Sequence, residues 1–379
     1  MAAIPKKANE EFGRDVNFSA GPSCLPIEVL HTIQEELFNH KGVGMGVMEM
    51  SHRSKAFRRI IDEATADTRE LINLPSNYKL LFMHGGGSMQ FSCIPLNLLE
   101  KEGNMADYVV TGQWSDKAVK ECSKFGHPVR RCDTKDSHYT LIPPQSEWLK
   151  ETSVAKYIYY CANETIAGVE FKETPESGNI PLIADMSSNL CSKPIDVEKH
   201  ALIFGSAQKN IGPAGCTIVM VQEALLNKEL PICPAVCSYK LTSDNQSLYN
   251  TPNCWSIYVV GLMMKYLKQK GGLAHWKNYS EEKSQLLYST IDSSDGYYSS
   301  PVAISCRSAM NIPFRVGKQN EDLEKEFLLE AAKQHLVNLE GHRSVGGCRA
   351  SLYTGMSLEG VYRLTEFMKI FQEEHPLTC

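Results

Sequence analysis

The chain has 379 residues, 42% of them hydrophobic and 22% charged, with a formal net charge of −5 at pH 7. That composition is the one expected of a soluble globular protein, and the length predicts two domains rather than one core. The acidic balance excludes bulk attraction to nucleic acid or to an anionic membrane, and no run of about 18 apolar residues is present to cross a bilayer.

At the start, "MAAIPKKANEEFGRD" lacks the apolar core of a signal peptide, and its acids are unlike those of a transit peptide. Residues 27–39 follow Pro26, a good first-turn residue, and set Val29, Ile33 and Leu37 on one helical stripe. Residues 54–73 repeat the period with Phe57, Ile61, Ala64, Thr68 and Leu71. Strand-like runs then alternate with helix-like ones: "KLLFMH" (79–84), "DYVVTG" (107–112), "KYIYYC" (156–161), "PLIADMSS" (181–188), "HALIFGS" (200–206) and "CTIVMV" (216–221). Several are apolar almost throughout, as when both faces of a sheet are covered, so a largely parallel α/β sheet is expected. From 222 to 257 the regularity fails, and a loop of that length is expected to act or to cross to a partner. Beyond about 270 the pattern changes to helix 280–292, strands "AISC" and "MNIPFRV", helix 321–335, strand 347–353 and helix 358–374. This predicts a smaller α+β domain of helices on a sheet. The thirteen cysteines are an odd number without a repeating frame, and the close pair Cys233 and Cys237 lacks further ligands for zinc. Reduced thiols, no metal and a cytoplasmic location are expected.

Four stretches bear on chemistry. "LLFMHGGGSMQF" runs from a strand through glycines into a helix start, which suits a bound phosphate, although a plain tight turn explains three glycines equally well. Asp185 ends an apolar strand at the edge where open α/β sheets bind ligands, or else it caps a turn. Lys209, in "GSAQKNIGPAG", follows the next strand in a glycine-punctuated loop. It is either an ordinary solvated lysine or an amine whose pKa burial lowers until it attacks an aldehyde. Lysine, aspartate and glycine cradle together fit pyridoxal 5'-phosphate, with its aldehyde, pyridine nitrogen and phosphate. Trp114 then offers a face to the ring, or is a core tryptophan, and Thr165 offers a hydroxyl to the phenolic oxygen, or shapes a turn. His52 and Arg53 in "SHRS", with His342, Arg343 and Arg349 in "GHRSVGGCRAS", form cationic clusters in excess of what one carboxylate needs. A substrate with two or more anionic groups is expected.

The motifs "NFSAGPSCLP", "VMEMSHRS", "HGGGSMQF", "NETIAGVEF", "GSAQKNIGPAG", "YNTP" and "GHRSVGGCRAS" closely resemble those of the phosphoserine aminotransferase family, in order, from about residue 16 to the end. The resemblance implies the aspartate-aminotransferase-like fold, a three-layer αβα domain with a smaller α+β C-terminal domain. The expected division is an arm, 1–16, a large domain, 17–270, and a small domain, 271–379. It also implies a homodimer that moves an amino group from L-glutamate to 3-phosphohydroxypyruvate, giving 2-oxoglutarate and O-phospho-L-serine. Lys209 then matches the Schiff-base lysine, Asp185 the partner of the pyridine nitrogen, Trp114 the stacking ring and Thr165 the hydroxyl near the phenolate. Gly87 and Ser88 match the phosphate turn, with Gln208 beside it, and Asn250 and Thr251 match residues that reach the other subunit's cofactor phosphate. Arg349 matches the arginine that holds the α-carboxylate. His52, Arg53, His342 and Arg343 match the distal-anion site, some of them across the dimer.

Two departures stand out. At Ser88–Met89 many relatives carry a larger or thiol residue and then a glycine, and Ala20 falls where some relatives carry a hydroxyl near the substrate. The rivals are a cysteine desulfurase using Cys348, which lies in an apparent strand, a non-catalytic scaffold of the same fold, and a nucleotide-binding module. The last is disfavoured because no G-x-x-x-x-G-K-[ST] loop occurs.

Overall fold

The computed structural model describes residues 13–377, so most of the expected arm, 1–16, lies outside the described residues, as does Cys379. Seven strands form the central sheet: β1 (Tyr78–Met83), β2 (Met105–Val110), β3 (His127–Asp133), β4 (Ile158–Cys161), β5 (Leu182–Asp185), β6 (Leu202–Ser206) and β7 (Thr217–Gln222). Their order is β1-β7-β6-β5-β4-β2-β3, with β7 antiparallel to both neighbours and the other pairs parallel.

Alternate residues of every strand but the edge strand β3 enter opposite cores, the expected result of a period of two in a sheet covered on both faces. Tyr160, Ala184, Ile203 and Ile218 face one cluster, which is closed by α1 (Ile27–Glu36), α2 (Lys55–Ile72) and α5 (Cys254–Gln269). Tyr159, Ile183, Phe204 and Val219 face the other, under α3 (Gly86–Leu98) and α4 (Gln113–Cys122). Helix α2 starts at Ser54, whose hydroxyl accepts from Phe57 N, and it packs closely on α5, where a Cβ on Gly261 would stand 3.1 Å from Ala64 Cβ.

A second sheet of three antiparallel strands, β8 (Tyr298–Ser299), β9 (Asn311–Val316) and β10 (Cys348–Ser351), lies in the order β8-β9-β10. With α7 (Glu321–Lys333) and α8 (Leu358–Glu374) it encloses a third core. The long helix α6 (Gly272–Asp292) gives Leu273 and Trp276 to the large core and Leu287 and Ile291 to the small one. Val16 and Phe18 also enter the small core, through a parallel pairing of Val16–Asn17 with Leu336–Val337.

Three local readings need correction. The segment 222–257 is not a structureless loop: it contains the short helix Tyr239–Asp244, and α5 begins at Cys254, with Asn253 Oδ1 accepting from Ser256 N at 3.0 Å. "AISC" is a single 3-10 turn, Ile304–Cys306, because Cys306 N bonds back to Ala303 O while Ile304 stands 78% exposed. The edge strand β3 was not expected, since its paired arginines hide the apolar alternation.

Candidate active site

The parallel strands β4, β5 and β6 end side by side, and Cys161, Asp185 and Ser206 stand at those carboxyl ends. A cavity of about 240 Å³ opens there. Its walls include Gly87, Ser88, Trp114, Thr165, Asp185, Gln208, Lys209, His342 and Arg349, so nine of the expected site residues come together.

The loop between β6 and β7 holds Lys209. It is pinched at its base by Ala207 N bonding to Cys216 O at 2.9 Å. Ser23 N donates to Gln208 O at 2.9 Å, and the Ser23 hydroxyl donates to Lys209 O. Asn210 Nδ2 donates to Leu190 O at 2.9 Å, and Asn210 Oδ1 accepts from both Thr354 N and Thr354 Oγ1. Gly215 has φ +101, and a Cβ there would stand 2.3 Å from Asn253 Nδ2, so the loop lies flush on the start of α5. The backbone of Lys209 is thus pinned on both sides while its side chain reaches inward.

Lys209 Nζ donates to Thr165 Oγ1 at 2.7 Å and stands 5.4 Å from the centre of the Trp114 ring. Burial pushes the amine below its ordinary pKa, against the pull of Asp185, Cys161 and Glu164. Asp185 is buried. Burial raises its carboxyl above the ordinary range, opposed by Lys209 and by hydrogen bonds from Ser187 and Tyr159. Ser187 N donates to its Oδ1 at 2.8 Å and Tyr159 Oη to its Oδ2 at 3.4 Å.

Helix α3 begins at the cradle. Gly85 and Gly86 have φ +80 and +65, and a Cβ on Gly87 would stand 3.2 Å from Ser206 Oγ and 3.3 Å from Ser187 Oγ. Gly87 N donates to Ser206 Oγ, so two hydroxyls and the helix N-terminus converge where an anion binds well. Met89 turns away and packs on Gly85: a Cβ there would stand 2.5 Å from Met89 Cβ. The departure at Met89 therefore leaves the cradle backbone free.

Glu164 is a site residue that the sequence reading missed. It accepts from Trp114 N at 3.1 Å, Ser115 N at 2.8 Å and Ser115 Oγ at 2.6 Å, capping α4 and fixing Trp114. Its place beside Thr165 in "NETIAG" was the available signal. Glu164→Ala is expected to lower stability by about 2 kcal/mol, the upper range for a lost cap. Urea unfolding measures that loss, and Trp114 fluorescence reports the freed ring. An unchanged midpoint would refute the capping role. Lys117, also missed, places Nζ 4.1 Å from the centre of the Trp114 ring.

Arg349 also lines the cavity: its Nη1 donates to Thr165 O at 3.4 Å, while Nε is buried without a partner. His342 Nδ1 bonds with Ser344 Oγ at 2.7 Å, and burial together with Arg349, Lys117 and Arg343 lowers its pKa. Arg343 is exposed beside it. His52 and Arg53 precede α2, Asn250 and Thr251 precede α5, and none of the four lines the cavity. Cys348 is buried in the small core with its thiol raised above the ordinary range by burial, which removes the reactive thiolate that a desulfurase needs.

The cavity suits pyridoxal phosphate on its own chemistry. It joins a buried amine, a buried carboxylate, an anion cradle and an aromatic face, and it leaves Trp114 Nε1, Asn163 Oδ1 and Arg349 Nε buried without partners. Fold and site together define a pyridoxal-phosphate-dependent aminotransferase.

The family model for class-V aminotransferases matches residues 16–364. The phosphoserine aminotransferase of Laribacter hongkongensis is 50% identical over 359 residues, covering 95% of this chain and 99% of the relative. The solved phosphoserine aminotransferase of Bacillus circulans subsp. alkalophilus superposes with a TM-score of 0.92 at 41% identity, covering 95% and 99% of the two chains. The pyridoxal-phosphate-bound enzyme of Trichomonas vaginalis gives a TM-score of 0.89 at 37% identity, covering 94% and 100%. The chain belongs to the phosphoserine aminotransferases of class V.

Proposed function

We propose that the protein reversibly transfers an amino group from L-glutamate to 3-phosphohydroxypyruvate, yielding O-phospho-L-serine and 2-oxoglutarate for L-serine biosynthesis. The observation that carries this reading is the placing of Lys209 Nζ on Thr165 Oγ1, with Arg349 donating to the carbonyl of the same residue in one cavity. Bound pyridoxal phosphate supplies an aldehyde for the amino group and a ring that takes up electron density.

The chain's own residues do the rest. Lys209, lowered in pKa by burial, takes the proton from the substrate α-carbon at Nζ and returns it from the same atom. Thr165 orients that nitrogen. Asp185 places negative charge at the base of the cavity, where a pyridine nitrogen is kept protonated, and Trp114 covers one face of the ring. Gly87, Ser88 and Gln208 take the cofactor phosphate. Arg349 grips the α-carboxylate through its planar fork, helped by a guanidinium that has no carboxylate of its own. Arg349→Lys is expected to raise KM for both substrates by about 10²-fold with a smaller loss in kcat, as when binding shared by ground and transition states is removed. Steady-state kinetics with each substrate varied checks it.

His52, Arg53, Asn250 and Thr251 belong to the reading as residues of a homodimer, with His342 and Arg343 at the distal anion. Support comes from His52, Arg53, Asn250 and Thr251 lying outside the single-chain cavity while exposed apolar side chains accompany them along the chain: Phe38 (85% exposed) and Met48 before His52, and Ile232 and Val236 before Asn250. Phe38→Asp is expected to shift a sedimenting dimer towards monomer and to lower activity with it. A dimer of unchanged stability would remove this face from the interface. The division into an arm, 1–16, a large domain, 17–270, and a small domain, 271–379, is part of the same reading, as is a cytoplasmic location. The deciding experiment is a coupled assay with glutamate and 3-phosphohydroxypyruvate: formation of phosphoserine is expected, and its absence with a cofactor-loaded protein overturns the proposal.

A further inference from the structure

A buried polar chain runs beneath the cavity and joins the two sheets. Asn163 and Asn311 are 1% and 0% exposed. Asn163 Nδ2 donates to Ser188 Oγ at 2.8 Å and to Asn311 Oδ1 at 2.9 Å. Asn311 Nδ2 donates to Ser351 Oγ at 2.9 Å and to Tyr353 Oη at 3.0 Å, and Tyr353 Oη donates to Ala20 O at 2.9 Å. Asn163, Ser188 and Ala20 line the cavity itself, Ser351 lies two residues beyond Arg349 on β10, and Asn311 and Tyr353 stand behind that wall without lining it.

The hairpin that carries Thr165 is seated on the small sheet as well. Gly168 has φ +74, and a Cβ there would stand 2.3 Å from Pro313 Cδ. Ser308 N donates to Gly168 O at 2.9 Å, and Ala309 N donates to Glu170 Oε2 at 3.0 Å. Thr165 and Arg349 therefore share one rigid frame.

Arg349 needs such a frame. Among the described residues its side chain donates only to Thr165 O, at 3.4 Å, and its Nε is unpartnered. Among the described residues no ion pair aims the guanidinium, so its aim comes from the backbone of β10. That backbone pairs with β9, Pro313 opposite Arg349 and Asn311 opposite Ser351, and the Asn311 amide fixes β10 from the side. An asparagine that uses both amide protons in set directions cannot turn without leaving buried groups unpaired.

We propose that Asn311 is the positioning residue that sets where Arg349 stands relative to Lys209, acting through Asn163, Ser351 and Tyr353 and touching no ligand itself. This rests on the reading of Arg349 as the α-carboxylate arginine. The test compares two inhibitors of the loaded enzyme: O-phospho-L-serine, and phosphoethanolamine, which is the same molecule without its α-carboxylate. Asn311→Leu is expected to weaken phosphoserine by about tenfold, with phosphoethanolamine and kcat held within about threefold. Ser351→Ala, which removes one arm and leaves a smaller defect, is expected to weaken phosphoserine by about threefold with the same selectivity. It decides the matter alone if Asn311→Leu does not fold. A loss of both inhibitors together in either variant marks a merely structural role and overturns the proposal, as does a Ser351→Ala enzyme with unaltered selectivity. A wild-type enzyme that fails to distinguish the two inhibitors overturns the reading of Arg349 instead, so the two failures are distinct.

Discussion

Lys209→Ala is expected to lower transamination by roughly 10⁴-fold, the top of the range that a placed acid–base group contributes. The variant is also expected to lose the colour of the loaded protein. Borohydride treatment, which should fix a pyridoxyl group on the wild-type side chain, should leave none on the variant. Among the described residues no other lysine lines the cavity. Lys117 lies over the Trp114 ring, yet it does not line the cavity. Folding is not expected to suffer, because an amine held in the interior against its preference for water costs stability rather than supplying it. The backbone pins at Gln208, Lys209 and Asn210 are independent of the side chain. The apo variant should therefore unfold no earlier than the apo wild type, which separates lost chemistry from lost structure. A small primary amine added to the assay should restore part of the rate by entering the vacated space. A variant that stays active, coloured and labelled by borohydride would remove Lys209 from the role.

How much of this was legible before the structure follows from where each signal resides. The central strands were plain, since β4, β5, β6 and the antiparallel β7 are apolar on both faces and their lengths are typical of strands. Asp185 and Lys209 were legible as polar exceptions at the ends of such runs. Helix α5 was not, because it is apolar around much of its surface and follows an irregular stretch, so its period does not show. The pins on Lys209 were invisible for another reason: Ser23 is 186 residues away in sequence, and Thr354 is 144 residues from Asn210. Serines and threonines at such separations carry no local pattern. Glu164 and the Asn163–Asn311 pair belong to the same class, since their roles depend on what two distant segments leave unpaired. His52, Arg53, Asn250 and Thr251 were legible through the family resemblance, and a single chain leaves them outside the cavity.

Lys283 carries the largest stability effect expected outside the site. It is fully buried in α6, and its Nζ donates to Leu352 O at 3.0 Å, Tyr353 O at 2.9 Å and Met356 O at 3.0 Å. Those carbonyls form the turn after β10 that presents Tyr353 and Thr354 to the site. Burial pushes the ammonium down to about 7 against the pull of Cys24, while the three carbonyls take all three of its protons. Lys283→Met keeps the length and removes the donors, orphaning three buried acceptors. The expected loss is about 3 kcal/mol, because each orphan costs about 1–3 kcal/mol and the relief of a buried charge offsets part of the sum. The sign with pH is fixed by the direction of the shift. An unfolded chain holds the lysine proton up to its ordinary 10.5, and the folded chain releases it near 7, so between those values the unfolded state binds more protons. Stability therefore rises with pH across that window, and the penalty is complete below it. The gap between wild type and Lys283→Met should widen from pH 7 to pH 10 by up to about 1.4 kcal/mol per unit. Urea midpoints for both proteins, measured at matched pH, read the difference directly and cancel every other titrating group. A gap that stays flat or narrows would mean that the three carbonyls hold the ammonium charged throughout, and a variant as stable as the wild type would mean that the turn stands without it.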